Sequence, residues 1–265
     1  MPRLDRIFIY PIKALDGIAV RQATVLESGA LKGDREFAMI DTQGKYVNGK
    51  RHVKVHQLRA DFDLENRVVS LQMPGLDQPE SFHLEGDRSL IEDWLTHYFG
   101  FSVRLVQNSQ MGFPDDTDSP GPTVISTATL QTIATWFSGL SLENARLRFR
   151  SNLEIAEVEA FWEDCLYAEA DNLGAFQIGQ VQMQGVNPCQ RCIVPTRDAI
   201  TGAADAHFQK TFVNRRQETL PAWAERSRFN HFYKLAVNTR IPASQAGKVL
   251  SIGDEIHTTD DWCKH

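Results

Sequence analysis

Two cysteines three positions apart, Cys189 and Cys192, flank Gln190 and Arg191 in the run Asn187-Pro-Cys-Gln-Arg-Cys-Ile-Val-Pro-Thr-Arg-Asp-Ala-Ile-Thr-Gly202. Cysteine works as nucleophile, redox group or metal ligand through its thiolate, and an adjacent cation favours that form. By adjacency, Arg191 marks Cys192 as the thiol to watch, and the apolar Ile193-Val194 after it is expected to anchor its loop. Three chemistries compete. A thioredoxin-like redox pair needs a helix starting at the first cysteine, which the early Pro195 and the turn chemistry of Thr201-Gly202 disfavour. A structural zinc site needs four ligands, and Cys165 and Cys263 stand apart, outside any second pair. A single thiolate serving a soft or intermediate metal of a cofactor needs neither. Against all three stands a buried, inert pair, a common fate of free cysteine. On residues alone the inert and functional readings weigh about equally.

Basic residues beside turns form the second pattern. Lys13 follows Tyr10-Pro-Ile, Arg35 follows Lys32-Gly-Asp, and Arg148 and Arg150 bracket Phe149 just before Ser151-Asn152. Singly, each reads as a solvated surface charge. Together they could clamp an anionic cofactor, because arginine is the preferred bidentate partner of phosphate. Ser126 precedes an apolar-periodic stretch and reads first as an N-cap, although a helix N-terminus also attracts anions. Asp198 is a conceivable proton donor, with turn stabilisation as its competing role.

The elements that would hold these groups read mostly as β. Residues 4–10 form an apolar strand, residues 58–64 alternate apolar and polar, and the turn at Glu65-Asn66 sends residues 67–73 back as a hairpin. Residues 41–44 form another tight turn, and residues 176–186 form a strand whose exit loop carries the cysteine pair. Helices are expected over 89–99, with Leu90, Ile91, Trp94, Leu95 and Tyr98 inward and Gly100 as stop, over 127–140, and from Pro221 through Trp223. The chain returns to β over 232–238 and 248–256, and the polar tail from Thr258 is expected to fray. A shift to Asp, Pro and Gly across 108–121 marks an internal boundary. Strands do not alternate with helices, which excludes a doubly wound parallel sheet and favours a mostly-β (α+β), barrel-like architecture with a few covering helices.

The composition is that of a globular chain: 265 residues, with 28 Lys and Arg against 34 Asp and Glu for a net charge of −6. An acidic balance argues against general nucleic-acid binding, which needs a basic footprint. No apolar run reaches the length of a membrane span or a signal-peptide core, so a cytoplasmic protein with no membrane partner is expected.

Five motifs occur in the order seen in the MOSC superfamily: Tyr10-Pro-Ile-Lys13, Gly33-Asp-Arg35, Ile125-Ser-Thr-Ala-Thr-Leu130, Phe149-Arg-Ser-Asn152 and Pro188-Cys-Gln-Arg-Cys192. The resemblance runs from Leu4 to Ile256 and implies an N-terminal MOSC β-barrel region over 1–108, a MOSC domain over 109–257 and a tail over 258–265. The chain resembles the mitochondrial amidoxime-reducing component and the C-terminal part of molybdenum cofactor sulfurases. That likeness implies a molybdenum cofactor whose metal takes Cys192. It also implies cofactor contacts from Lys13, Arg35, Arg150, Asn152 and Asp118, to which the residue patterns above add Ser126 and Arg191. Ser151 stands where the family has proline, and Ala14 where many members have serine. The implied activity is reduction of small N-hydroxylated molecules with electrons from a separate flavin or iron–sulfur protein. The rival is a carrier of the cofactor, or of a persulfide on Cys192.

Overall fold

The computed structural model describes residues 1–170 and 172–258. Strand β1 (Arg3–Ile9) buries Leu4, Ile7 and Ile9 and pairs antiparallel with β2 (Ile18–Val20). Then follow β3 (Gln22–Thr24), β4 (Phe37–Ile40), the single-turn helix α1 (Lys54–Gln57), β5 (Arg59–Asp63), β6 (Val68–Gln72), β7 (Glu80–His83), α2 (Arg88–Phe99) and β8 (Arg104–Gln107). The expected hairpin is β5–β6, and β7 extends it to a three-stranded sheet. Its turn is fixed by Asp63, whose carboxylate accepts from the Asn66 backbone N–H at 2.9 Å and side-chain amide at 2.7 Å. Helix α2 packs Ile91, Trp94, Leu95 and Tyr98 inward, one face of a 3.6-residue period, and stops at left-handed Gly100. Leu90 falls off that face and is 54% exposed, contrary to expectation.

The second half contributes β9 (Val124–Ser126), α3 (Thr127–Thr135), α4 (Leu142–Phe149), β10 (Leu153–Ala156), β11 (Gly174–Ile178), β12 (Val181–Gln190), α5 (Phe208–Glu218), β13 (Lys234–Arg240), β14 (Val249–Ser251) and β15 (Ile256–Thr258). Strands therefore dominate, as expected. The main sheet has the order β15-β11-β12-β13-β9-β10-β1-β2. Its one parallel pair is β9–β10, joined by the crossover through α3 and α4. The chain start is thus built into the sheet of the second half, and β3 pairs with β14. Among the described residues, no helix is long and apolar enough to cross a membrane.

Three expectations about elements change. No helix starts at Pro221. Helix α5 lies upstream, and Trp223 stands in a turn with its indole N–H on the Phe161 carbonyl at 3.1 Å. The buried stripe of α5 is Phe208, Phe212 and Arg216, so its third inward position is a charge and apolar periodicity misses it. Helix α3 ends at Thr135 rather than 140, and α4 follows a Ser141 cap unannounced, because its inward face includes Arg146. That arginine is buried only because Glu154, also buried, accepts from it at 2.8 and 2.6 Å. Cys165 is disulfide-bonded rather than isolated, and Cys263 lies outside the described residues. So does the expected tail, except Thr258, which closes β15.

Arg216 heads a polar network inside the main core. It is fully buried, donates to Asp164, and lies over the rings of Phe161 at 4.4 Å and Phe229 at 5.0 Å. Beside it Glu163, 1% exposed, accepts from Thr129 at 3.0 Å. Burial, and then the charge of Asp164, push the Glu163 carboxyl up to about 7. A carboxyl whose pKa rises on folding favours the fold when protonated, so this contribution falls as pH climbs from the unfolded value to about 7, then levels off. Glu163→Gln keeps the shape and removes the charge. It should stabilise the fold at pH 8 by on the order of 3 kcal/mol or less, and leave it nearly unchanged at pH 5. Urea unfolding at both pH values measures this; equal destabilisation at both would show that the ionised form is the one the fold requires.

Candidate cofactor and anion site

A cavity of about 720 Å³ opens at the seam between the N-terminal strands and the main sheet. Ten Lys or Arg and four Asp line it, so a chain of net charge −6 concentrates positive charge in one concave place. Such a cavity attracts anions whatever the overall charge.

Tyr10 organises one wall. Its backbone N–H donates to Asp34 at 2.9 Å, its carbonyl accepts from the Arg35 N–H at 2.7 Å, and its hydroxyl donates to the Ser151 carbonyl at 3.2 Å. Arg35 and Arg150 place guanidiniums 5.3 and 4.2 Å from its ring centre. Burial pushes the Tyr10 hydroxyl up to about 12 although both arginines pull the other way. Arg35 is neutralised by Asp34 and also donates to Asn152 Oδ1 at 3.3 Å. Arg150 donates to the Leu15 carbonyl at 2.5 Å and has no carboxylate within ion-pair distance among the described residues. Burial, with a smaller push from Arg35, lowers its pKa. Both arginines hold left-handed backbones, φ 51° and 53°, as does Ala14 at 76°. Such non-glycine conformations cost on the order of 1 kcal/mol or more and gather where a site fixes the chain.

Lys13 is 8% exposed. Its ammonium donates to the Phe113 carbonyl at 2.8 Å and to Asp115 at 2.7 Å. Burial lowers the Lys13 pKa against the pull of Asp115. Burial also raises the Asp115 carboxyl, but the Lys13 charge outweighs that and holds it at about 2. The segment carrying Phe113 and Asp115 reaches this wall because Gly112, at φ 69°, lies where a Cβ would stand 2.5 Å from the Asp34 carbonyl oxygen.

The cysteines occupy another wall. Cys189 lies within the last residues of β12, and Cys192 stands just beyond it. The Arg191 guanidinium turns to Cys189, donating to its sulfur at 3.3 Å and to the Phe149 carbonyl at 2.5 Å. The adjacency reading of Arg191 is therefore corrected: the arginine supports the first sulfur. Cys192 is half-buried, and its sulfur has no hydrogen-bond partner among the described residues. The Ile193 side chain is 52% exposed and is not the apolar anchor expected; its carbonyl accepts from the Thr196 N–H at 3.1 Å and hydroxyl at 2.7 Å, and Pro195 and Thr196 are buried in the short 3₁₀ turn Val194–Thr196. No α-helix starts at Cys189, and no group of three His, Cys, Asp or Glu suited to a metal occurs among the described residues. The thioredoxin-like and zinc readings lose their structural basis.

Lys13, Arg35, Arg150, Asn152, Arg191 and Cys192 thus converge on one cavity, and three other residues do not. Ser126 is fully buried, accepts from the Thr129 N–H at 3.1 Å and is spent as the cap of α3. Asp118 is exposed and held through its backbone, its N–H donating to the Asp116 carboxylate at 3.0 Å and its carbonyl accepting from Arg240. Asp198 accepts from the Thr201 and Ile200 N–H groups at 2.8 and 3.1 Å. Those bonds hold its carboxyl at about 2, which makes it a turn anchor and a poor proton donor. Sequence reasoning passed over Ser119, Asp115 and His56, all on the cavity wall. Ser119 follows Asp118 directly, but only burial distinguishes it: its hydroxyl is enclosed and without a hydrogen-bond partner among the described residues.

This donor set fits an anionic, phosphate-bearing cofactor whose metal accepts sulfur. Lys13, Arg35 and Arg150 supply charge, Ser119 an unsatisfied hydroxyl and Cys192 an unengaged thiol. The separation of Ser126 from this set is testable. Ser126→Ala should cost ~1–2 kcal/mol of stability, as lost N-caps do, and leave the cofactor content of the purified protein unchanged. Denaturant unfolding and metal analysis of the same sample check both; cofactor loss without destabilisation would return Ser126 to the site.

Comparison with known proteins bears on the same residues. The MOSC N-terminal beta barrel domain matches residues 1–100, and the MOSC domain matches residues 123–257. The chain is 25% identical over 244 residues to mitochondrial amidoxime reducing component 2 of Macaca fascicularis, covering 76% of this chain and 68% of that protein. It is 24% identical over 236 residues to mitochondrial amidoxime-reducing component 1 of Danio rerio, covering 75% and 70%. With molybdenum cofactor sulfurase of Homo sapiens the identity is 23% over 256 residues, covering 78% of this chain and 28% of that protein. Together the two domain matches span most of its length, and the chain belongs to the MOSC family.

Proposed function

We propose that this protein binds a molybdenum cofactor and uses it to reduce small N-hydroxylated molecules. The observation that carries this reading is an unengaged thiol, Cys192, on the wall of a cavity lined by ten cations and four carboxylates. Relatives named amidoxime reducing components and molybdenum cofactor sulfurase point the same way. Lys13, Arg35 and Arg150 would neutralise the pterin phosphate, with Asn152 and Ser119 as neutral hydrogen-bonding groups. Cys192 would be the protein ligand to the metal, as its sulfur has no hydrogen-bond partner among the described residues while that of Cys189 already accepts from Arg191. When bound, the cofactor supplies two electrons and an oxygen-accepting centre. The overall change, R–NH–OH plus two electrons and two protons to R–NH₂ plus water, requires a separate electron-donor protein. Fixed cations in a partly water-excluded cavity act more strongly on an anion than they would in water.

Cys192→Ala should abolish reduction of an N-hydroxylated test substrate and lower the molybdenum content of protein made in a molybdenum-replete host. Cys189→Ala should keep most of both. Inactivity of the Cys189 variant alone would move the metal bond to that residue. Wild-type protein without molybdenum or pterin, but with a persulfide on Cys192, would favour the carrier.

Lys13→Gln removes one charge from the clamp and leaves Cys192 in place. It should weaken cofactor retention by ~1.5–3 kcal/mol, the usual worth of a charged hydrogen bond. Cofactor release during dialysis, followed by metal analysis, measures it; unchanged retention would place the phosphate elsewhere.

A further inference from the structure

The cavity has a second positive pole that the proposed cofactor contacts leave unused. Arg228 and Lys234 line it beside the end of β12, where Lys234 is in register with Gln190. Lys234 donates to the Arg228 carbonyl at 2.5 Å, and the Arg228 guanidinium donates to the Val186 carbonyl at 2.7 Å. Neither has a carboxylate within ion-pair distance among the described residues. Glu225, which feels the Arg228 charge, is turned to the Ser227 N–H at 2.9 Å. Asn187 and Asn238, bonded to each other at 3.1 Å, line the cavity on adjoining strands. Two adjacent cations without a counter-charge, flanked by amides, form a receptor for an oxyanion.

The two groups have different charged neighbours: Asp115, Arg35 and Lys50 act on Lys13, and Arg228 acts on Lys234. Burial and Arg228 both hold the Lys234 ammonium below its usual pKa, a cost that a bound anion would relieve. Lys234 is in register with Gln190 at the end of β12, and Gln190, Arg191 and Cys192 line the same cavity.

We propose that Arg228 and Lys234 form a substrate-recognition subsite, and that the preferred substrates are N-hydroxylated molecules carrying a carboxylate or phosphate. The proposal rests on the reductase reading above for what the substrate undergoes. The subsite itself is a property of these two side chains.

Two kinds of probe test it on protein purified from a molybdenum-replete host. Calorimetric titration with benzamide, 4-carboxybenzamide and 4-phosphonobenzamide, the amide products of matched hydroxamates, reads binding without turnover. Steady-state reduction of benzohydroxamic acid and its 4-carboxy and 4-phosphono analogues, with a supplied chemical electron donor such as reduced methyl viologen, reads KM. Wild type should bind at least one anionic amide about ten-fold more tightly than benzamide and show a matching fall in KM. The better of the two identifies the anion. Arg228→Gln with Lys234→Gln should reduce the preference to about two-fold or less. Lys234→Arg should keep it, and Lys210→Gln with Arg215→Gln, an equal charge loss on exposed positions of α5, should not alter it. Equal wild-type affinity for all three amides, binding of none, or a preference that survives the double substitution overturns the subsite. Selective amide binding with no hydroxamate reduced would instead sink the reductase reading and leave the subsite standing.

Discussion

The arrangement around Tyr10 is the constraint on which the site depends. Two guanidiniums face one buried ring, and only Arg35 has a carboxylate neighbour in contact. Placing cations there requires left-handed backbone at both arginines, so the surrounding chain has to be held firmly. Asn152 does much of that holding. It is 1% exposed, donates to the Phe8 carbonyl at 3.0 Å, and accepts from Arg35 and from the Thr123 N–H, both at 3.3 Å. One amide therefore ties β1, the Arg35 turn and the entry to β9.

The seam position of the cavity follows from the chain path. The first strands pair with β10 and β14, so the N-terminal core and the main core share β1's exit segment rather than a flexible linker. Ile12 and Leu15, fully buried in the N-terminal core, bracket Lys13 and leave its ammonium to reach Asp115 across the seam. A lysine this enclosed is retained only where its charge has a partner. Asp115 provides it from the exposed rim, and an anionic ligand would compete for the same ammonium.

Much of this was legible in the residues. Period-two alternation found β5, the turn at Glu65-Asn66 found its partner β6, and 3.6-residue apolar spacing found α2, because the inward faces of β5 and α2 are entirely apolar. The same reasoning lost α4 and α5, whose inward faces carry Arg146 and Arg216, each buried against a carboxylate distant in sequence or across a turn. Lys13, Arg35, Arg150, Asn152 and Cys192 could be named because turn chemistry and motif order marked them. Ser119 and Arg228 carry no local signal. Their significance lies in what they lack among the described residues, a partner for one and a counter-charge for the other, and that is decided by tertiary packing.

The cysteine pair shows the same limit at the scale of one turn. Adjacency in sequence suggested that Arg191 acts on Cys192, but side chains at consecutive positions near a strand end point to opposite faces. Arg191 lies next to Cys192 along the chain and on the same side as Cys189, which is two residues away. The guanidinium therefore meets the first sulfur and the Phe149 carbonyl, and its attachment to Phe149 ties the loop to the end of α4. Cys192 is left on the cavity wall with its sulfur unspent. The two sulfurs therefore stand in different surroundings, one held by a guanidinium and the other facing the cavity.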